Sequence, residues 1–232
     1  MRVLEKKSLN SEIAGYIGKL LRDNFGKGPT SVYVSIKKPF ISIYLKDFLA
    51  PIERLLVGQK NYQKVEETRD LMFEELIPEI KATLRVSADL HIKNFYYDWS
   101  LENKTGVLLG VMDNSESNDE HFYPEFPNKE ILEEEMIKVS EIAQKAPDLL
   151  NSMYLNNRTL VMERKGILTE LEKELIREGN KEQLLLSKRQ LEKRLLDIKV
   201  FESILGVGIK DVFVDWDFYL DISYLIFIVK PK

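Results

Sequence analysis

Apolar residues recur at two spacings along the chain, and the order of these spacings is repeated in its second half. Ile13, Ile17 and Leu20 lie three or four residues apart, which is typical of a helix with one buried face. The same spacing returns later, in Leu132, Met136, Val139 and Ile142. Each half of the chain is therefore predicted to begin with an amphipathic helix.

Segments in which apolar and polar residues alternate follow both helices and predict strands. In the first half, residues 32–36 and 41–45 alternate on either side of the turn sequence Lys37-Lys38-Pro39. Further pairs of alternating segments are found at 149–155 with 159–164, at 90–99 with 105–112, and at 209–216 with 221–229. The pattern predicts two hairpins in each half.

A long helical region is predicted between the two hairpins of each half. Pro51 suits the first helical position in the first half, where Glu53 can accept hydrogen bonds from exposed amides. In the second half, Thr169 and Glu172 have the spacing of a capping box. Different residues thus predict the same helix start.

Glycine and proline predict where these helices are interrupted. Gly58 and Gly179 each follow about two helical turns, and we expect the helices to resume at Asn61 and Asn180, which suit a cap position. Pro78 should kink or end the resumed helix of the first half, because proline removes a backbone hydrogen bond. The second half has no proline there.

The two halves also align by residue identity. Leu49 aligns with Leu168 at an offset of 168 − 49 = 119, and Asp98-Trp99 aligns with Asp215-Trp216 at 215 − 98 = 117. These are the only two tryptophans of the chain. The predicted fold is α+β: a tandem duplication of an α-β-β-α-β-β unit, each with a mostly antiparallel four-stranded sheet covered by helices.

The predicted domains are a first repeat at 1–112, an acidic linker at 113–128 and a second repeat at 129–232. The linker is rich in acidic residues, Ser, Asn and Pro and contains no Lys or Arg. Because Phe122, Tyr123 and Phe126 are large and apolar, we expect them to pin part of the linker to a domain surface.

Composition narrows the function classes. Hydrophobic residues make up 44% and charged residues 31% of the 232, which is ordinary for a soluble globular protein. The absence of cysteine and of a targeting pattern favours the cytoplasm. The net charge of −4 lacks the basic concentration that nucleic acids require, so no nucleic-acid partner is expected. The apolar run at 224–229 is too short to span a bilayer, so no direct membrane insertion is expected.

The paired Asp98-Trp99 and Asp215-Trp216 are the first candidates for a ligand or partner site. Both pairs fall at the end of the third predicted strand of their half. A structural interpretation is the simpler one, because a strand-end Asp often satisfies turn amides and a Trp often fills a core edge with its N–H bonded.

A second candidate is the turn Lys27-Gly28-Pro29, preceded by Gly26. Consecutive amides beside a lysine can bind an anion. However, the turn follows a helix instead of preceding one, and it lacks the phosphate-loop spacing, so a helix stop is the simpler interpretation.

The sequence gives no sign of catalysis, and neither a metal nor another cofactor is expected. His91 and His121 are the only histidines, and neither has another His or any Cys at ligand spacing. No serine lies in a nucleophile-elbow context. Carboxylates are numerous, but most fall on predicted helix faces with nearby lysines, where they are usually solvated.

Several segments resemble one bacterial family. Residues 25–32, 49–54 and 98–107 resemble the MpsC family, which is named for a component of sodium-translocating, membrane-potential-generating systems. Residues 155–160, 166–168 and 214–217 resemble it in the second half. The second half lacks the Gly-Lys-Gly-Pro turn, which puts a shared role of that turn in doubt.

The resemblance implies association with a membrane system for cation translocation or inorganic-carbon (bicarbonate) uptake. Together with the absence of a predicted membrane span and the internal repeat, it predicts a non-enzymatic cytosolic accessory or regulatory protein of such a system. Its partners would be membrane transporter subunits or a second copy of itself, and it could be peripheral to the membrane through such a partner. The alternative is a small-ligand sensor with a pocket between the repeats. An enzyme that uses a pair of carboxylates is the third possibility.

Overall fold

The computed structural model describes residues 2–113 and 123–231, and of residues 2–7 it describes the backbone alone. The chain divides into two compact units, Met1–Glu120 and His121–Lys232. His121 and Phe122, both singled out in the sequence, lie outside the described residues.

The first unit has the predicted element order, including the predicted interruption of its central helical region. Its elements are α1 (Arg2–Phe25), β1 (Ser31–Lys37), β2 (Phe40–Lys46), α2 (Pro51–Gly58), α3 (Tyr62–Ala88), β3 (Ile92–Ser100) and β4 (Thr105–Met112). The strands form one antiparallel sheet in the order β1-β2-β4-β3.

The second unit repeats this order, with one additional helix before its third strand. Its elements are α4 (Lys129–Ala143), β5 (Leu149–Asn156), β6 (Thr159–Lys165), α5 (Glu170–Arg177), α6 (Lys181–Leu195), α7 (Ile198–Leu205), β7 (Ile209–Asp217) and β8 (Ile222–Val229). Its antiparallel sheet has the equivalent order β5-β6-β8-β7. The α+β class with two similar units is therefore confirmed.

Strand register shows how closely the two units correspond. Leu45 lies opposite Gly106, and Arg164 lies opposite Ser223, so these pairs differ by 164 − 45 = 119 and 223 − 106 = 117. These offsets are the ones found in the sequence.

Irregularities of the backbone correspond as well. Lys93 is the extra residue of a bulge in β3, and Lys210 is the extra residue of a bulge at the equivalent place in β7. Left-handed residues also occupy matching turns, at Asp47 and Gly166, Lys60 and Gly179, Asp89 and Gly206, and Lys104 and Asp221. The two units thus share the features that a strand pattern alone does not specify.

The first helix of each unit buries one face. Ile13, Ile17 and Leu20 are buried in the first unit, and Leu132, Met136 and Val139 are buried at the positions 119 residues later. Ile142 was expected on this face and is instead 72% exposed. Ser140 is buried in its place, because a helix has 3.6 residues per turn and Ser140 follows Met136 by four.

The prediction that Pro78 could end a helix is wrong. Helix α3 continues through Pro78 to Ala88, whereas the helix of the second unit breaks after Leu195. Asp197 then caps α7, because its Oδ1 accepts the Lys199 N–H at 3.0 Å. The offset falls from 119 at Leu195 to 117 at Phe201, so the break coincides with the loss of two residues.

Two details of the helix boundaries also differ from expectation. Gly58 is the last residue of α2, and the left-handed residue that matches Gly179 is Lys60. Asn61 and Asn180 do stand at the N-caps of α3 and α6, but neither side chain makes a capping hydrogen bond. Within the described residues, no helix is both long and apolar enough to cross a membrane.

Gly106 provides a test of the packing between β3 and β4. A Cβ at Gly106 would lie 2.3 Å from Cε3 of the buried Trp99 ring, so Gly106→Ala should lower the free energy of unfolding by about 1–3 kcal/mol. Urea unfolding followed by circular dichroism measures the change.

Gly15 is the matched control. Apart from its chain neighbours and the backbone of its own helix, nothing lies within 4 Å of a Cβ built there, so Gly15→Ala should raise helix stability by about 0.5–1 kcal/mol. A Gly106→Ala variant as stable as the unaltered chain would contradict the packing of Trp99 against this backbone.

Candidate functional site

Asp98 and Trp99 lie at the end of β3 and are each 1% exposed. The Asp98 carboxylate accepts the Trp99 backbone N–H at 2.7 Å. The Trp99 ring belongs to an aromatic cluster, in which its centroid is 4.8 Å from that of Phe73 and 6.1 Å from that of Phe48. The pair is therefore part of the core of the first unit.

A buried arginine lies against this tryptophan. The Arg69 guanidinium carbon is 4.5 Å from the centroid of Trp99 and 4.6 Å from that of Phe48. Arg69 comes from α3 and is fully buried. The faces of aromatic rings carry partial negative charge, so the two rings favour the cation between them.

Glu53 neutralises Arg69. Both nitrogens Nε and Nη2 of Arg69 donate to the Glu53 carboxylate at 2.7 Å, and Nη2 also donates to the Phe48 carbonyl at 2.9 Å. Such a two-pronged contact between a guanidinium and a carboxylate is the strong form of this ion pair.

Helix α2 holds Glu53 in place. Pro51 begins the helix, and the Ala50 N–H donates to Glu53 Oε2 at 2.7 Å. A carboxylate in the first turn also interacts favourably with the helix dipole. Glu53 therefore caps one helix and at the same time neutralises a cation from the next.

The second unit has the same three-part arrangement. Glu172 caps α5 by accepting the Thr169 N–H at 2.8 Å, and it forms an ion pair with Lys188 of α6. The Lys188 ammonium lies 5.5 Å from the centroid of Trp216. The offsets are 172 − 53 = 119, 188 − 69 = 119 and 216 − 99 = 117. We call this arrangement the Glu–cation–Trp stack.

The cation differs because its surroundings differ. Arg69 has an aromatic ring on each side, whereas Ile167 occupies the position of Phe48 in the second unit. A planar guanidinium stacks between two rings, and a compact ammonium does not need the second one. The Trp216 indole N–H is buried and meets no hydrogen-bond acceptor among the described residues, contrary to the expectation that it would be bonded.

The core of the second unit contains further charges beneath the stack. Arg164 Nη2 donates to Glu192 Oε2 at 2.7 Å, and both side chains are at most 2% exposed. Arg164 also donates to the hydroxyls of Ser223 at 2.8 Å and Ser140 at 3.0 Å. Gln144 links this group to the stack, since it donates to Glu192 Oε1 at 3.0 Å and accepts from Lys188.

In the first unit, the positions that correspond to these buried polar residues are apolar or lack a side chain. The polar set of the second unit is Ser140, Gln144, Arg164, Glu192 and Ser223. The apolar set of the first unit, at the same offsets, is Leu21, Phe25, Leu45, Phe73 and Gly106. Within the apolar set, the Phe25 and Phe73 ring centroids are 5.9 Å apart. The two units therefore fill the same fold with two different core chemistries.

Asp215 pairs with an arginine whose position in the first unit holds an aspartate. Arg189 Nη2 donates to Asp215 Oδ1 at 3.1 Å, and both residues are buried. The residue at the Arg189 position in the first unit is Asp70. Asp98 and Asp215 thus correspond in sequence and differ in electrostatic surroundings.

The end of the expected linker contacts the second unit. The Tyr123 hydroxyl donates to Glu163 Oε2 at 2.7 Å, and the Tyr224 hydroxyl donates to Glu163 Oε1 at 2.7 Å. Phe126 packs edge-on against Tyr154, with ring centroids 5.0 Å apart. Burial raises the pKa of Tyr123, and the charge of Glu163 raises it further. The expectation that aromatic residues pin this segment is met at Tyr123 and Phe126.

The turn Lys27-Gly28-Pro29 lies apart from Trp99 in the sheet. It leads into β1, whereas Trp99 is on β3, and β2 and β4 separate these two edge strands. A Cβ on Gly28 would lie 2.8 Å from the Gly18 carbonyl of α1, so this glycine allows the turn to pack against the helix. The contact gives the turn a structural role as the end of α1.

His91 is a surface residue. Its Nε2 lies 3.6 Å from the Asp89 carboxylate, and its side chain is 52% exposed. Among the residues that the structure describes, no group of three or more His, Cys, Asp or Glu is placed to hold a metal ion.

The sequence analysis missed the partners of the tryptophans. Arg69 and Lys188 each interrupt an apolar stripe of a helix, as in Val65, Arg69 and Phe73, and each lies four residues after an apolar position. A cation at the same place in both buried faces was the available signal. What the assembled groups can do chemically is limited, because the carboxylates of Glu53, Glu172 and Glu192 are already bound to buried cations.

Comparison with known families agrees with the resemblance seen in the first half of the sequence. Residues 5–114 match the family model of MpsC, described as the Na⁺-translocating membrane potential-generating system. The first half of the chain belongs to the MpsC family. The match lies within the first unit, and the family model does not extend into the second. No curated protein and no solved structure shows significant similarity to the chain.

Arg69 tests the stack in the MpsC unit. Arg69→Leu should lower the free energy of unfolding by about 3–5 kcal/mol, because Glu53 would stay buried without its counter-ion. Arg177→Leu is the control, since Arg177 pairs with Glu174 on the surface and should cost about 0–1 kcal/mol. Equal shifts of the urea midpoint in the two variants would contradict the role given to Arg69.

Tyr123 tests the anchored segment through its pH dependence. The unfolded chain releases a tyrosine proton near pH 10, about the usual tyrosine pKa, whereas the raised pKa of Tyr123 keeps the folded chain protonated above that pH. The stabilisation by Tyr123 is therefore complete below about pH 10 and declines as the pH rises further. At pH 8, Tyr123→Phe should cost about 1–3 kcal/mol, since the lost hydrogen bond goes to a charged group.

The difference in the free energy of unfolding between Tyr123→Phe and the unaltered chain should shrink above about pH 10. Urea unfolding at a series of pH values measures it. Tyr219→Phe is the control, because Tyr219 is 80% exposed, and it should change stability little at any pH. A difference for Tyr123→Phe that stays constant as the pH rises would rule out this account of Tyr123.

Proposed function

We propose that the chain is a non-enzymatic, cytosolic accessory or regulatory component of a membrane system that translocates cations or takes up inorganic carbon. The observation that carries the proposal is the match of residues 5–114 to MpsC, whose description names a Na⁺-translocating system. The ion pathway of such a system would lie in partner subunits.

The arrangement of charge in the two cores supports a scaffold rather than a reaction centre. At Glu53, both carboxylate oxygens are bound to Arg69, and one also accepts a backbone N–H. At Arg164, three nitrogens donate to three different side chains. Side chains held in this way fix the positions of helices and strands, and they fit a protein that presents a rigid surface to partners.

We also propose that the second unit is a diverged MpsC-like copy, with domains at 1–112 and 129–232 joined by 113–128. The matching strand register, bulges and left-handed turns support this proposal. The second unit retains the Glu–cation–Trp stack, which is the part of the core that both units share.

Co-purification from a native host tests the proposed function. The chain, tagged at its chromosomal locus, is purified from mild detergent, with an equally tagged unrelated cytosolic protein as the control. Integral membrane proteins should be recovered with the chain and not with the control. Repeated recovery of none would count against the proposal.

Membrane potential in intact cells gives a second test. A strain that lacks the gene should develop less Na⁺-dependent potential, measured with a potential-sensitive dye. Arg177→Leu should restore it fully, and Arg69→Leu should restore it poorly because that variant is unstable. An unchanged potential in the deletion strain would contradict the proposal.

The sensor alternative gives a different outcome. Trp99 and Trp216 are buried in separate units, so their fluorescence would report a ligand that alters either core. Titration with nucleotides, bicarbonate and metal ions should leave the emission unchanged if the chain is an accessory protein. A saturable change with one compound would favour the sensor.

A further inference from the structure

Because the two units share one fold, the elements of each unit must assemble with each other and not with their equivalents in the other unit. They have the same strand order, matching register and matching bulges, and they lie in one chain. During folding, a strand or helix of one unit could therefore occupy the equivalent place in the other. Such exchange is a characteristic failure of repeat proteins.

The polar set involves four elements that must come together. Ser140 and Gln144 lie on α4, Arg164 on β6, Glu192 on α6 and Ser223 on β8. Their hydrogen bonds join each of these elements to at least one of the others. An exchange of any one element would break part of the set.

The energetic consequence of an exchange follows from the residues that would meet. With β2 in the place of β6, Leu45 would replace Arg164 and leave Glu192 buried without its cation. With β6 in the place of β2, Arg164 would enter the core that contains Phe25 and Phe73. A buried charge without a partner is strongly unfavourable, so both mixed assemblies are penalised.

The exchange of β4 and β8 is opposed by shape as well as by polarity. Gly106 lies opposite Trp99, and any Cβ there would meet the Trp99 ring at 2.3 Å. Ser223 in its place would bring such a Cβ. Conversely, Gly106 in the place of Ser223 would remove the hydroxyl that accepts from Arg164 Nε.

We propose that the polar set is a recognition code, which makes the elements of the second unit assemble with each other and not with those of the first. The apolar set shows that the same fold can be filled without these charges. An ion pair that gives little stability can still select one assembly over another. The selected partner is defined by chemistry: a buried carboxylate on α6 for a guanidinium on β6.

The test replaces the polar set with the apolar set in the full chain. The substitutions are Ser140→Leu, Gln144→Phe, Arg164→Leu, Glu192→Phe and Ser223→Gly. This variant should have a urea midpoint equal to or above that of the unaltered chain. On refolding at micromolar concentration, its share of dimers and larger species in size-exclusion chromatography should nevertheless rise several-fold.

Two further variants separate recognition from stability. The double variant Arg164→Leu/Glu192→Phe removes the ion pair alone, and it replaces the larger variant in the test if that variant does not fold. It should also increase misassembly. Glu192→Phe by itself should lower the midpoint, because Arg164 loses its partner, but should still refold mainly to monomer. The proposal would be overturned if the share of misassembled protein were highest in the least stable variant, and not in the variants that lack both charges.

A rescue variant completes the test. Placing the polar residues at positions 21, 25, 45 and 73 of the first unit, with Gly106 retained because a Cβ there would meet Trp99, and the apolar set in the second unit should return refolding to the monomer, because the two cores would again differ. If the variant with two apolar cores refolds to monomer as completely as the unaltered chain, the proposal is wrong.

Discussion

The carboxylate in the first turn of α2 and of α5 is the constraint on which each core depends. A cation buried beneath a tryptophan requires a counter-charge, and a helix start requires acceptors for its free amides. Glu53 and Glu172 meet both requirements with one side chain each. The helix boundary, the next helix and the end of the third strand are thereby fixed to one another. This explains why the short helix, although mostly exposed, occurs in both units.

Around that shared stack, the two units show that one fold can keep the same backbone positions while the side chains at those positions differ in chemistry. Five core positions hold aliphatic or aromatic groups or glycine in the first unit and hydrogen-bonding groups in the second. Apolar packing generally gives as much stability as a buried ion pair, or more. The charges of the second core are therefore better explained by selectivity than by strength. Assignment of the first unit to MpsC does not depend on this explanation, since the family match rests on residues 5–114.

Much of the fold could be predicted from periodicity, because strands and amphipathic helices leave regular traces in a sequence. The hairpins, the capping box at Thr169 and the offsets of 119 and 117 were all visible there. Tertiary context decided the rest: Pro78 lies within a continuous helix, and Ile142 faces solvent. The ion pairs were not predicted, because residues such as Arg164 and Glu192 are far apart in sequence. The sequence alone also does not distinguish a buried charged residue from an exposed one.

The two bulges on the outer strands have a consequence for how the molecule behaves among its own copies. Each bulge places an exposed lysine, Lys93 or Lys210, at the free margin of a sheet. An uninterrupted margin of backbone N–H and C=O groups would invite a further strand from a neighbouring molecule. A local kink that carries positive charge discourages that addition. At the β3 and β7 edges, the chain thus disfavours the docking of a strand from another molecule, by the same device in both units.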